Sequence, residues 1–122
     1  MSAPSSPKGK YWVFTLNNPR ISALQFIELL EPHVDYAVFQ REEGEENHTP
    51  HFQGYVCLKN RKELRWLKRH VSDRASWRRR RGTHAEAKTY CEKPEGRLSG
   101  PHYVGDDSGR CHDCAYCKWN DC

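Results

Sequence analysis

Pro50-His51-Phe52-Gln53-Gly54-Tyr55-Val56 is the stretch whose reading decides the fold. Side chains alternate along a strand, so His51, Gln53 and Tyr55 point to one face while Phe52, Gly54 and Val56 point to the other. Upstream, Val34 to Glu42 reads as a second strand, joined to the first by the acidic connection Glu43 to Thr49. An antiparallel hairpin with a longer loop brings Glu42 level with His51 and Gln53. Alternation lets only one of Glu42 and Glu43 face that pair. A carboxylate, an imidazole and an amide oxygen suit a hard divalent cation and leave positions for water or phosphate. Taken alone, a strand histidine is more often a solvated or packed residue.

Working outward, Tyr11 to Leu16 is a run of strand formers that Asn17-Asn18-Pro19 ends. Ser22-Ala23-Leu24-Gln25 has the capping-box form, with Phe26 placed to staple back onto Ile21. The helix it opens buries Ala23, Phe26, Ile27 and Leu30 and stops at Pro32. After the hairpin, whose second strand is read as Pro50 to Leu58, Asn60 to Glu63 can cap a helix with the stripe Leu64, Leu67 and Val71. Ala75 to Arg81 follows as a last strand. The order β-α-β-β-α-β, followed by a helix, is the split βαβ plan of ferredoxin-like folds. The expected class is α+β, an antiparallel sheet of about four to five strands with helices packed on it and one sheet face free for ligands. The expected divisions are a flexible arm over 1–10, a domain over 11–98 and a Cys-rich tail over 99–122.

Composition narrows the function. The 122 residues carry 20 Lys+Arg against 16 Asp+Glu, a formal +4, which is room for one modest core. Cations are concentrated between Arg61 and Arg81, where ten Lys/Arg face two acids, a pattern that suits a polyanion. There is no G-x-x-x-x-G-K-[ST] loop, so nothing suggests nucleotide hydrolysis. Neither a secretory signal nor a membrane-length apolar run is present, so an intracellular protein without a membrane partner is expected. Its six cysteines are then expected to be reduced unless metal-bound.

Thr83-His84-Ala85-Glu86 is a second capping box, opening a helix that should run until Pro94 and carry Tyr90 and Lys93 on one face. Phe14-Thr15-Leu16-Asn17-Asn18-Pro19, then His51-Phe52-Gln53, then Tyr90-Cys91-Glu92-Lys93 resemble the three ordered motifs of the replication initiator (Rep) proteins of circoviruses and their relatives. Those proteins are HUH endonucleases, here in the variant with Gln53 as second ligand. The resemblance implies sequence-specific nicking and joining of single-stranded DNA at an origin hairpin, which initiates rolling-circle replication. It makes Tyr90 the nucleophile of a covalent 5′-phosphotyrosine intermediate, with Lys93 assisting. It makes Glu42, His51 and Gln53 the ligands of Mg²⁺ or Mn²⁺; Glu42 is preferred to Glu43 because it aligns without gaps to the family's acidic ligand. Host replication machinery as partner and the host cell nucleus as location follow in the same way. Related Reps carry a helicase domain after the nuclease, and this chain ends too early to hold one.

For DNA binding the candidates are Asn17, Lys68, Arg69, Trp77, Arg78, Arg79, Arg80 and Arg81, since single strands are held by cations along the backbone and by stacking on aromatics. Trp77 is equally readable as core, Asn17 as a turn former, Tyr90 as a packed ring and Lys93 as a cation near a helix end. In the tail, the spacing of Cys111, Cys114, Cys117 and Cys122 resembles a compact structural Zn²⁺ cluster, and a disordered tail competes with it. Two further readings stand beside the nuclease: a non-catalytic single-stranded nucleic-acid module on the same fold, and a small zinc-dependent interaction protein resting on the tail.

Overall fold

The computed structural model describes residues 8–44 and 48–106. The strand-forming runs become β1 (Gly9–Asn17), β2 (Val34–Glu43), β3 (Pro50–Lys62), β4 (Ser76–Arg79) and β5 (Arg97–Gly105). They form one antiparallel sheet in the order β4-β1-β3-β2-β5. Its first four strands are the expected split βαβ plan. The helices are α1 (Ala23–Leu30), α2 (Leu64–His70) and α3 (His84–Tyr90).

Local chemistry sets the helix starts. Ser22 and Gln25 exchange side-chain and backbone bonds at α1, and Thr83 and Glu86 do the same at α3, so the backbone donors orphaned at each start are satisfied. Several expected boundaries are corrected. Gly9 pairs with Lys62, so β1 starts two residues earlier than expected and β3 runs on through Asn60; the N-cap of α2 is Glu63, without a side-chain bond. Helix α3 stops at Tyr90 with Cys91 as its C-cap, leaving Lys93 beyond the helix. The chain then adds β5, a strand beyond the expected plan, and the expected start of the tail at residue 99 falls inside it. Cys111, Cys114, Cys117 and Cys122 lie outside the described residues.

The two sheet faces have different fates. On one, Trp12, Phe14 and Leu16 of β1, Ala37 and Phe39 of β2, and Phe52 and Val56 of β3 pack beneath Phe26 and Leu30 of α1 and Leu67 of α2. Gly54 is required there, because a Cβ would lie 2.2 Å from the Phe14 ring. Phe26 and Leu30 are fully buried; truncating such a leucine to alanine costs about 2–5 kcal/mol. The opposite face is not left free. Tyr36, Val38, Tyr55 and Cys57 form a smaller cluster there with Cys91 and Ala87 at the α3 end. That cluster fixes where α3 delivers Tyr90. Among the described residues, no helix is long and apolar enough to cross a membrane.

Candidate active site

Strand register assembles the site in two adjacent rows. Thr15, Gln53 and Gln40 are cross-strand partners, and so are Asn17, His51 and Glu42. Period-two alternation puts all six on the α3 face of the sheet. Glu42 faces His51 across the strand pair and is buried at 3% exposure, whereas its neighbour Glu43 reaches the exposed His48. Alternation thus separates the two carboxylates.

Glu42 gathers the site. Its Oε1 lies 3.3 Å from His51 Nε2 and 2.7 Å from Lys93 Nζ, and its Oε2 accepts a 2.7 Å hydrogen bond from Gln40 Nε2. His51 Nδ1 lies 3.3 Å from the Thr49 carbonyl, so the ring is held between two acceptors, that carbonyl and Glu42, and one of its nitrogens can donate while the other stays available to a cation. Gln53 is oriented on both sides. Its Nε2 donates to the Phe14 carbonyl at 3.2 Å, and its Oε1 accepts from Thr15 Oγ1 at 3.1 Å with a second lone pair to spare.

Tyr90 stands at the edge of these rows. Cys91 is fully buried beneath α3 while Tyr90 is 55% exposed, so adjacent residues point in opposite directions and the ring faces outward. Lys93 Nζ is 4.2 Å from the Tyr90 ring centroid as well as 2.7 Å from Glu42, so one ammonium links the carboxylate to the tyrosine. The Cys91 thiol is pushed up to about 12, first by burial and then by the nearby Glu42 charge. It is an inert neighbour of the tyrosine.

The donor set fits a divalent cation by chemistry: Glu42, His51 and Gln53 offer a carboxylate oxygen, an imidazole nitrogen and an amide oxygen. Among the described residues no group of three His, Cys, Asp or Glu side chains gathers, so such a cation rests on the amide as its third protein donor. It would also meet Lys93 at the same carboxylate oxygen.

The expected DNA-binding residues separate into distinct groups. Asn17 is exposed and sits beside His51 on the site face. Trp77 is corrected: only 5% exposed, it packs 4.9 Å from Phe14 and donates Nε1–H to the Ser72 carbonyl, because the β4 alternation turns it toward the helices. It is core and offers no face to a base. Arg78 and Arg80 share the face of Val13, whereas Arg79 shares that of Trp12. With Arg81 they line an open groove of about 900 Å³ along the β4 edge. Arg78, Arg79 and Arg81 are exposed, but Arg80 is committed. It donates to Tyr55 Oη at 2.9 Å and lies 4.4 Å from the Tyr11 ring centroid. Tyr55 is fully buried and meets His84 Nδ1 at 2.8 Å; burial, chiefly, raises its phenol far above the ordinary value. Arg80 thereby ties β4 to the start of α3. Lys68 and Arg69 are exposed on α2, which packs on the opposite sheet face, and line a groove there with Arg20 and Arg74.

Sequence reasoning missed Gln40 and Thr15 in the polar rows. Gln40 was within reach, because it lies two residues before Glu42 on a strand and so on the same face.

A five-stranded antiparallel sheet on the split βαβ plan, with three helices packed on it, defines the class, an α+β fold consistent with an HUH endonuclease domain. The chain matches the viral replication protein family over residues 9–94, and it belongs to that family. It is 43% identical over 95 residues to the master replication protein of Milk vetch dwarf virus (isolate N), covering 78% of this chain and 31% of that protein. It is 39% identical over 105 residues to the replication-associated protein of Beak and feather disease virus, covering 85% and 36%. With the replication-associated protein of Pigeon circovirus the identity is 40% over 96 residues, covering 78% and 29%. The chain thus spans about a third of the length of the curated relatives it matches.

Proposed function

We propose that this domain nicks and rejoins single-stranded DNA at a viral replication origin and so initiates rolling-circle replication. The observation that carries the reading is the single Lys93 ammonium, 2.7 Å from Glu42 Oε1 and 4.2 Å from the Tyr90 ring centroid, with His51 at the same carboxylate oxygen. In the reaction, the Tyr90 hydroxyl oxygen bonds to the scissile phosphorus and the bond from phosphorus to the 3′ oxygen breaks. The phenolic proton is lost and the departing 3′ oxygen gains one, giving a 5′-phosphotyrosine and a free 3′ hydroxyl. Because a phosphodiester replaces a phosphodiester, an incoming 3′ hydroxyl can reverse the step and join the strand.

A tyrosine hydroxyl is protonated at neutral pH and needs help to attack. Lys93 offers a point charge to the phosphate or to the negative charge developing beside Tyr90. Glu42, His51 and Gln53 would hold Mg²⁺ or Mn²⁺, which supplies relief of charge on the phosphoryl oxygens when bound. Arg78 and Arg81 would follow the strand backbone along the β4 edge. The host nucleus and its replication machinery are the setting this reading requires.

The test is incubation with a panel of single-stranded origin hairpins and Mn²⁺ or Mg²⁺, resolved on denaturing gels and by mass spectrometry. Wild type is expected to release a 3′-hydroxyl product and to gain the mass of the DNA 3′ of the nick on a peptide containing Tyr90. Tyr90→Phe, which deletes one oxygen and keeps the ring, is expected to bind DNA but form no adduct. Cleavage by Tyr90→Phe at the wild-type rate would mean an activated water is the nucleophile and would overturn the mechanism. Binding without cleavage by wild type under all conditions would leave a non-catalytic nucleic-acid module.

A further inference from the structure

Gln40 is the one fully buried polar side chain of the polar rows, at 0% exposure. Both hydrogens of its amide nitrogen are used: one goes to Glu42 Oε2 and the other to the Lys93 backbone carbonyl, each at 2.7 Å. Both partners only accept, so the nitrogen and not the oxygen must occupy this position. The amide oxygen is left buried without a hydrogen-bond partner. A buried orphan acceptor is destabilising, and an apolar side chain of similar volume would avoid that cost while forfeiting the two donors. Strand β5 passes close to the root of the Gln40 side chain. It carries Gly100 at φ +97°, where a Cβ would come within 3.0 Å of the Gln40 Cβ.

Resting on the function proposed above, we propose that Gln40 is a positioning residue of the site. It holds Oε2 of Glu42 so that Oε1 is the oxygen presented to His51, Lys93 and a bound cation. By the same nitrogen it pins the carbonyl of Lys93, fixing the segment that follows Tyr90 against β2. The carboxylate and the nucleophile-bearing segment are thus set relative to each other by one neutral amide. Neutrality matters here, since a carboxylate at position 40 would stand against Glu42.

The test compares wild type, Gln40→Met and Gln40→Asn. Methionine keeps the volume and removes both donors, and asparagine keeps the donors on a side chain one methylene shorter. Mn²⁺ affinity is read from free Mn²⁺ by electron paramagnetic resonance, without DNA. Gln40→Met is expected to bind Mn²⁺ about tenfold more weakly, the lower end of what losing a partner of a metal ligand costs. Its single-turnover cleavage should fall by about the same factor with KM for DNA within twofold, the signature of misplaced groups and not of weakened DNA binding. The Cys91 and Glu92 amides, which bond into the end of α3, should exchange hydrogen faster. Gln40→Asn should fall between, and it carries the comparison if the methionine variant does not fold. If wild type cleaves and binds Mn²⁺ and both folded variants match it within twofold, the role of Gln40 is wrong while the function stands. A wild type that neither cleaves nor binds Mn²⁺ overturns the functional reading and this role together.

Discussion

Lys93→Met removes one charge from the centre of the site and keeps most of the side-chain stem. Glu42 Oε1 and Lys93 Nζ are 2.7 Å apart, with side chains 4% and 28% exposed. At an effective dielectric near 20 the gross attraction at that distance is about 6 kcal/mol, most of it offset by desolvation of the two ions. Removing one partner of a fully buried pair costs about 3–5 kcal/mol, because the other charge is left stranded. Lys93 is partly solvated, and Gln40 still donates to Glu42 Oε2, so the expected loss is about 2–3 kcal/mol. For a domain of this size that is on the order of 10–20 °C in Tm, measured by circular dichroism in EDTA. Mn²⁺ should then reverse much of the loss, since a ligand at about 100 times its Kd contributes about 2.7 kcal/mol. The variant should gain more than wild type, because no ammonium competes for Oε1. DNA cleavage should nevertheless fall, as the charge next to Tyr90 is gone. Equal Tm values in EDTA would refute the reasoning that Glu42 depends on Lys93. A Mn²⁺-induced gain no larger than that of wild type would refute the competition.

Further outcomes follow from the site and its surroundings. Glu42→Ala should abolish Mn²⁺ binding at the site and cleavage, while Glu43→Ala retains both within about threefold by the same gel and resonance assays; the reverse result would invalidate the register. Replacing Arg78 and Arg81 by alanine should reduce the slope of log K against log salt by about 0.7 for each phosphate no longer neutralised, as measured by fluorescence anisotropy, whereas Arg80→Ala should lower Tm by unfastening Tyr55 and α3. His33 is held below its ordinary value of 6.5 by burial first, then by the charges of His70, Lys62 and Lys59, so the unfolded chain binds the proton more readily. Stability should decline as pH falls from about 6.5 toward the lower folded-state value, and Tm measured from pH 7.5 to 5 should decline less in His33→Gln; an unchanged profile would exclude this cause.

What the sequence disclosed well were features governed by short-range rules. The capping boxes at Ser22 and Thr83 placed the starts of α1 and α3, and period-two alternation let only one of Glu42 and Glu43 face His51 and Gln53; the resemblance chose Glu42, and the strand register pairs it with His51. The end of α3 was less legible, because Cys91 in the core fixes it and not Pro94. Trp77 and the arginine run look alike in sequence whether they bind DNA or pack. Only the pairing of Phe14 with Trp77 and Val13 with Arg78 separates a core ring and a strap such as Arg80 from exposed cations.

Strand β5 was illegible for a different reason, and the site depends on it. Its sequence, Arg97-Leu98-Ser99-Gly100-Pro101-His102-Tyr103-Val104-Gly105, has two glycines and a proline, and only Val104 is buried. No alternation survives in such a run. Proline is tolerated because the strand lies at the sheet edge, where a missing N–H need not break a ladder. The same irregularity lies beside the site: the register of β2 and β5 shifts between Phe39 and Arg41, and Gly100 passes there close over Gln40, where a Cβ would be tightly crowded and its φ of +97° would strain any side chain. Local propensity would discard this segment as a linker. It is a strand because it pairs with β2, and that pairing passes over Gln40. The weakest sequence signal among the strands therefore sits directly beside the most buried polar contact of the site.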